Sequence, residues 1–127
     1  FCKQEYEFIE NDSRVNTWYA RDVMNPQTGA KSWSNWLDAI AEIQGPVHLT
    51  IDIDGLDGSL VPATGTPVPG GLTFWHVVQT IESAFANCDV ISADVNEIVA
   101  QKDTPLTQFT AAMIATKLVS AHIANMR

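Results

Sequence analysis

Residues 48–72, HLTIDIDGLDGSLVPATGTPVPGGL, decide the fold. The stretch opens as an apolar strand and breaks at Asp52-Ile53-Asp54. It then runs through a loop rich in Gly, Pro and Thr to Gly70-Gly71. Residues 52–58 hold three carboxylates, Asp52, Asp54 and Asp57. Charge at the end of a buried strand is costly unless it is paired or coordinates a metal. Hard oxygen donors of this kind suit Mg, Ca or Mn.

Working outward, Val47 to Ile53 reads as a central strand whose residues suit burial on both faces. Before it, a helix starts near Ser32 or Ser34, either of which can cap it, and runs to about Ile43. Its apolar face is Trp36, Ile40 and Ile43, with Leu37 beside them, and Gly45-Pro46 stops it. Residues 25–31 form a loop. The β-branched and aromatic run Val15 to Ala20 predicts a strand. Residues 3–10 predict a short helix, with Tyr6 and Ile9 three apart.

After the loop, Thr73 is the expected N-cap of a helix to about Phe85, burying Val77, Val78, Ile81 and Phe85. Asp89 to Val95 is the next strand, ending in Asn96-Glu97. Thr104-Pro105 reads as N-cap and first turn of a last helix to about Ala124. Phe109, Met113, Leu118 and Val119 are among its apolar positions. Alternating strands and helices predict a parallel α/β sheet. In such sheets the site lies outside the carboxyl ends of the strands. Asp52 and Asp54 stand at one such end and Glu97 just past the next, so all three are expected on one edge.

Composition narrows the classes. At 127 residues the chain is one domain, 1–127, large enough to bury a core. Fifteen acidic against seven basic residues give a net charge of −8. That balance argues against nucleic acid or an anionic membrane as partner, since both need basic patches. Cys2 and Cys88 are too few for a disulfide scaffold and predict reduced thiols in a cytoplasmic protein. No apolar run reaches the length of a membrane span and no signal peptide is visible. The first residue is Phe1, so residues upstream are expected to have been removed or left out.

Two readings of DIDGLDG rest on spacing. An EF-hand loop fails, because counting from Asp52 puts Leu56 at position 5, Asp57 at position 6 and Ala63 at position 12. An apolar strand followed by D-x-D-G resembles the first motif of haloacid-dehalogenase-like phosphohydrolases. That alternative makes Asp52 a nucleophile and Asp54 an acid/base. It lacks the paired-Asp metal motif expected downstream.

The third reading is a resemblance. TIDIDGLDGSLVPATGTPVPGGLTF is similar to the signature of the arginase/agmatinase (ureohydrolase) family, an S/T-x-D-x-D-x-x-D-P run followed by P-x-x-G-T-P-x-x-G-G-L. ADVNEIV resembles the family's later strand with its D-x-x-E element, and EYEFIENDSRVNTWYARDV resembles the preceding helix and strand of the agmatinase-like branch. The resemblance implies a three-layer α/β/α, arginase-like fold. It also implies hydrolysis of a guanidino compound such as agmatine to urea and an amine at a centre of two Mn2+ ions. Carried over by position, Asp52 matches the aspartate bridging the two metals and Asp54 a ligand of one. Glu97 matches the carboxylate that pairs with the guanidinium, and Thr66 a residue lining the pocket. A small guanidino substrate and a homo-oligomer are implied partners.

Two departures qualify the match. Gly58 replaces the usual Pro after Asp57. The family's D-x-H-x-D element, which carries further ligands, does not occur in this sequence. The chain therefore reads as the C-terminal portion of such a domain, and a catalytically incomplete fragment or assembly subunit is the competing reading.

Plainer roles are expected elsewhere. Asp57 caps the loop through backbone N–H groups. His48 alternates with Thr50 and Asp52 and reads as a core or supporting histidine. His76 and His122 are ordinary helix residues. Trp18, Trp33, Trp36 and Trp75 belong to core or interface. Gly70-Gly71 serves a tight turn. Cys88 has no nucleophilic partner in view.

Overall fold

A computed structural model describes residues 2–102 and 104–126. In chain order it contains α1 (Lys3–Asn11), α2 (Ala20–Val23), α3 (Gly29–Ala41), β1 (Pro46–Asp52), a 3-10 turn (Ile53–Gly55), α4 (Phe74–Asn87), β2 (Asp89–Asn96) and α5 (Leu106–Asn125). The two strands pair in parallel, with Thr50 opposite Asp94 and Asp52 opposite Asn96. α4 is the crossover between them, as a parallel pair requires.

Sequence explains most of these elements locally. Thr73 caps α4, its hydroxyl accepting the His76 N–H, while His76 returns a ring nitrogen to the Thr73 N–H. α4 buries Val77, Val78, Ile81 and Phe85 as expected, together with Ala84. α3 ends at Ala41, and Gly45 takes φ +84°, a left-handed turn that suits a residue without Cβ, before Pro46 opens β1.

Four expectations are corrected. Residues 15–19 form no strand; among the described residues the sheet has two strands, and a third edge needs a ladder partner that this segment lacks. Its aromatics pack instead, Trp18 meeting Trp36 of α3 edge-on at 5.2 Å. α3 starts at Gly29, ahead of both serines, and Ile43 lies beyond its end, 44% exposed. β1 is covered on one face only: Ile51 is buried and Val47 and Leu49 half-buried, while His48, Thr50 and Asp52 are exposed. Thr104 does not cap α5; its hydroxyl donates to Gln101, and Pro105 takes the cap position. α5 turns Thr107, Ala111, Ile114 and Leu118 inward, which leaves Phe109, Met113 and Val119 exposed.

The main core lies between the covered face of the sheet and α4 and α5. Ile53, Leu56 and Val61, just past β1, are all but inaccessible in it, with Ile81 of α4 and Ile114 of α5. The carboxylate-bearing loop is thus anchored from beneath by its own apolar residues. A smaller cluster of Ile40, Ala84 and Cys88 joins α3 to α4. No described helix is long and apolar enough to cross a membrane.

Candidate metal and guanidinium site

Asp52 is the last residue of β1, and its carboxylate accepts the Asp54 N–H at 3.2 Å, capping the 3-10 turn. Burying Ile53 between them turns the chain so that both carboxylates stay at the strand end. Partial desolvation raises the Asp52 pKa first of all; the Asp54 N–H opposes this, and the Asp54 carboxylate adds to the rise. A cation beside such a pair relieves the repulsion.

The Thr66 hydroxyl donates to the half-buried Asp54 carboxylate. Thr66 belongs to the Gly65-Thr66-Pro67 turn, and the Gly65 α-carbon faces Glu97: a Cβ there would stand 3.6 Å from Glu97 Oε2. One turn therefore has Asp54 on one side and Glu97 on the other. Glu97 sits directly after β2 at φ +60°, a conformation uncommon for a residue with Cβ. Such strain persists where the surroundings enforce it. Here Val99 N–H donates to Ala63 O at 3.0 Å, tying the segment to the loop. The Thr64 hydroxyl beside this turn is buried with no hydrogen-bond partner among the described residues.

Asp57 has the capping role expected of it. One carboxylate oxygen accepts the Ser59 N–H at 2.9 Å and the other the Gly70 N–H at 2.7 Å, so it clasps both ends of the loop. The Ser59 contacts, foremost, and those from Gly70 and Gly71 hold its pKa below the ordinary carboxylate range. Gly70 takes φ +83°, and a Cβ on Gly71 would run into the backbone of Leu56 and Asp57. The two glycines thus have separate tasks, a left-handed turn and a close approach.

His48 is not a core residue. It stands half-exposed on the open face of the sheet, with Nδ1 2.7 Å from Ser92 Oγ and Nε2 3.2 Å from Asp94. Thr50 donates to Asp94 at 2.7 Å, and Asn96 donates to both Asp94 and Thr50. The Thr50 hydroxyl is the largest influence lowering the Asp94 pKa, with His48 and Asn96 adding to it. This cross-strand network lies one pleat below Asp52, and single-strand reading missed it. Alternation puts 48, 50 and 52 on one face, but only the pairing register brings Ser92, Asp94 and Asn96 beside them.

Of the remaining aromatics, Trp33 packs on His76 at 4.5 Å and bonds Gln79, Trp36 bonds Thr80, and Trp75 is 64% exposed. Cys88 is buried against Ile40 O, and burial raises its pKa. His122 sits edge-on to Phe85.

Among the described residues, no three His, Cys, Asp or Glu side chains stand close enough together to hold a metal ion. Asp52 and Asp54 form a pair of hard oxygen donors, which fits Mn2+ in kind and supplies part of a coordination shell.

The sequence matches the model of the arginase family over residues 1–121. It is 35% identical over 108 residues to the N(1)-aminopropylagmatine ureohydrolase of Thermococcus kodakarensis, covering 84% of this chain and 38% of that protein. To the agmatinase of Pyrococcus horikoshii it is 37% identical over 111 residues, covering 87% and 36%. The fold superimposes on the arginase from Bacillus caldovelox with a TM-score of 0.75 at 25% identity, covering 92% of this chain and 39% of that one. The chain thus spans well under half the length of these relatives. The likeness assigns its parallel sheet and helices to the three-layer α/β/α class of arginases, and the phosphohydrolase reading of D-x-D-G falls away. With the match running through the D-x-D strand end, the G-T-P turn and the Glu97 segment, the chain belongs to the arginase family.

Proposed function

We propose that this chain is the C-terminal portion of a manganese-dependent ureohydrolase that hydrolyses a small guanidino compound, agmatine or a close relative, to urea and an amine. The observation that carries the reading is the Gly65-Thr66 turn, with Asp54 bonded on one side and Glu97 against the other. Two relatives named as an agmatinase and an aminopropylagmatine ureohydrolase support the substrate class.

In this reading Asp52 and Asp54 hold Mn2+, and Thr66 fixes the orientation of the Asp54 carboxylate. When bound, the metal lowers the pKa of water so that a nucleophile is available near neutral pH. Glu97 binds the planar guanidinium through paired, charge-assisted hydrogen bonds. Its left-handed backbone presents the carboxylate to the turn instead of along the strand. The Asp94 network holds β1 and β2 in register, and so fixes the offset between Asp52 and Glu97. An excess of eight negative charges suits a cationic substrate. The proposal includes a homo-oligomer in the cytoplasm, with neither nucleic acid nor membrane as partner.

The second reading, a catalytically incomplete fragment, is favoured by the lack of a three-donor cluster among the described residues. Titration calorimetry with Mn2+, with Asp54→Asn as control, separates the two. Tight binding lost in the variant supports a working site within this chain. Weak or absent binding supports a half-site that needs further ligands. In a protein of the relatives' full length, Asp52→Asn is expected to abolish urea release with the fold intact; urea release at the wild-type rate refutes the proposal.

A further inference from the structure

We propose that Thr107 is a positioning residue: through the Ala63 backbone it holds Glu97 against the Gly65-Thr66 turn. The inference rests on the reading of Glu97 as the guanidinium-binding carboxylate.

Thr107 is the one fully buried polar side chain among the described residues. It lies in the first turn of α5, and its hydroxyl oxygen accepts the Ala63 N–H at 2.9 Å, across 44 positions of sequence. Ala63 is itself 1% exposed. A buried N–H without an acceptor is strongly disfavoured, so this contact dictates where the middle of the loop sits. The Ala63 carbonyl, on the other side of the same residue, accepts the Val99 N–H at 3.0 Å. Two residues back along that segment, Glu97 holds its left-handed conformation, and two residues along the loop, Gly65 meets its carboxylate. Glu97 and Val99 lie in a segment without regular structure, exposed at both positions. A left-handed residue there needs an external restraint, and the Ala63 carbonyl is a hydrogen bond that supplies one. α5 thus reaches the substrate carboxylate through one residue of loop backbone.

The test uses NMR on the whole chain. In the wild type, the Val99 amide is expected to be protected from exchange, and Glu97 Hγ to show a nuclear Overhauser contact with Gly65 Hα. Thr107→Val keeps the shape and removes the acceptor. Val99 exchange should accelerate and the Glu97–Gly65 contact vanish while β1 and α4 amides stay protected. Thr107→Ser should restore both. Val99→Pro, at an exposed position, removes the second link without touching the core and should release Glu97 while the Ala63 amide stays protected. Agmatine, titrated into each variant, should bind roughly tenfold more weakly in Thr107→Val than in wild type, the scale of one lost hydrogen bond. Retention of the Glu97–Gly65 contact in a folded Thr107→Val or in Val99→Pro overturns the proposal, as does a serine variant that restores neither signal. If Glu97→Gln binds agmatine as the wild type does, the substrate reading fails; if neither binds, the chain is the half-site described above. In both cases the exchange and contact data still decide whether Thr107 positions Glu97.

Discussion

Replacing Ile53 by alanine tests whether the aspartate-bearing strand end is anchored from below. Ile53 lies between Asp52 and Asp54 and is 0% exposed, packed in the main core with Leu56 and Val61. The change removes three carbons, and at about 0.8 kcal/mol per buried CH2 the transfer loss is about 2.4 kcal/mol. An unfilled cavity brings the total to about 3–4 kcal/mol, inside the range for buried Ile→Ala. Against a typical total of about 5–15 kcal/mol that is a large fraction, and it corresponds to a fall in Tm of roughly 12–16 °C at this chain length. Circular dichroism melts and urea unfolding of wild type, Ile53→Ala and Ile123→Ala measure it. Ile123 is 52% exposed on α5, so the same chemical change there should shift stability by no more than about 0.5 kcal/mol. Equal losses at the two positions would refute the packing argument, since identical atoms are removed and only burial differs.

Other consequences follow from the same contacts. Gly71→Ala should destabilise by about 1–3 kcal/mol, because its Cβ would stand 2.6 Å from the Asp57 amide nitrogen; Gly55→Ala, with open space around it, should change little, and thermal melts that rank the two the other way refute the reading. Asp57 has a folded pKa below its ordinary value, so the folded state binds fewer protons near it. Its contribution is present above about pH 4 and lost as pH falls through the lower folded value. Acid titration of stability should therefore be flatter in Asp57→Asn than in wild type, and parallel profiles would contradict it. Cys2 is exposed and Cys88 buried with a raised pKa, so a thiol reagent at about pH 8 should label Cys2 in the folded chain and reach Cys88 only in urea. Rapid labelling of both in the folded chain would mean that the α3–α4 contact is open.

Much of the architecture is written in local patterns. The α4 face of Val77, Val78, Ile81 and Phe85 has helical spacing, its cap is a threonine, and DVISADV carries the β-branched Val90, Ile91 and Val95; each needs only short-range physics, and each appears as expected. The Asp52-x-Asp54 pair, the left-handed turn at Gly70 and the Asp57–Ser59 contact are likewise local, since a contact two residues away or a left-handed φ depends on immediate neighbours, whereas the bond from Gly70 N–H to Asp57 spans 13 positions. VNTWYA has the composition of a strand and forms none, because a strand is completed by a partner's hydrogen bonds and composition cannot supply the partner. Phe109, Met113 and Val119 are apolar and exposed for a related reason: which stripe of a helix meets the sheet is set by the rest of the fold.

The sequence by itself determined the parallel α/β class, the carboxylates and their place at strand ends. Tertiary structure alone decided that Glu97 turns left-handed onto Gly65, that Thr66 reaches Asp54, that His48, Ser92 and Asp94 form one network, and that Thr107 anchors Ala63 across 44 positions. Those contacts join segments far apart in the chain. Their geometry is fixed by strand register and by the packing of α5, and no window of sequence contains either.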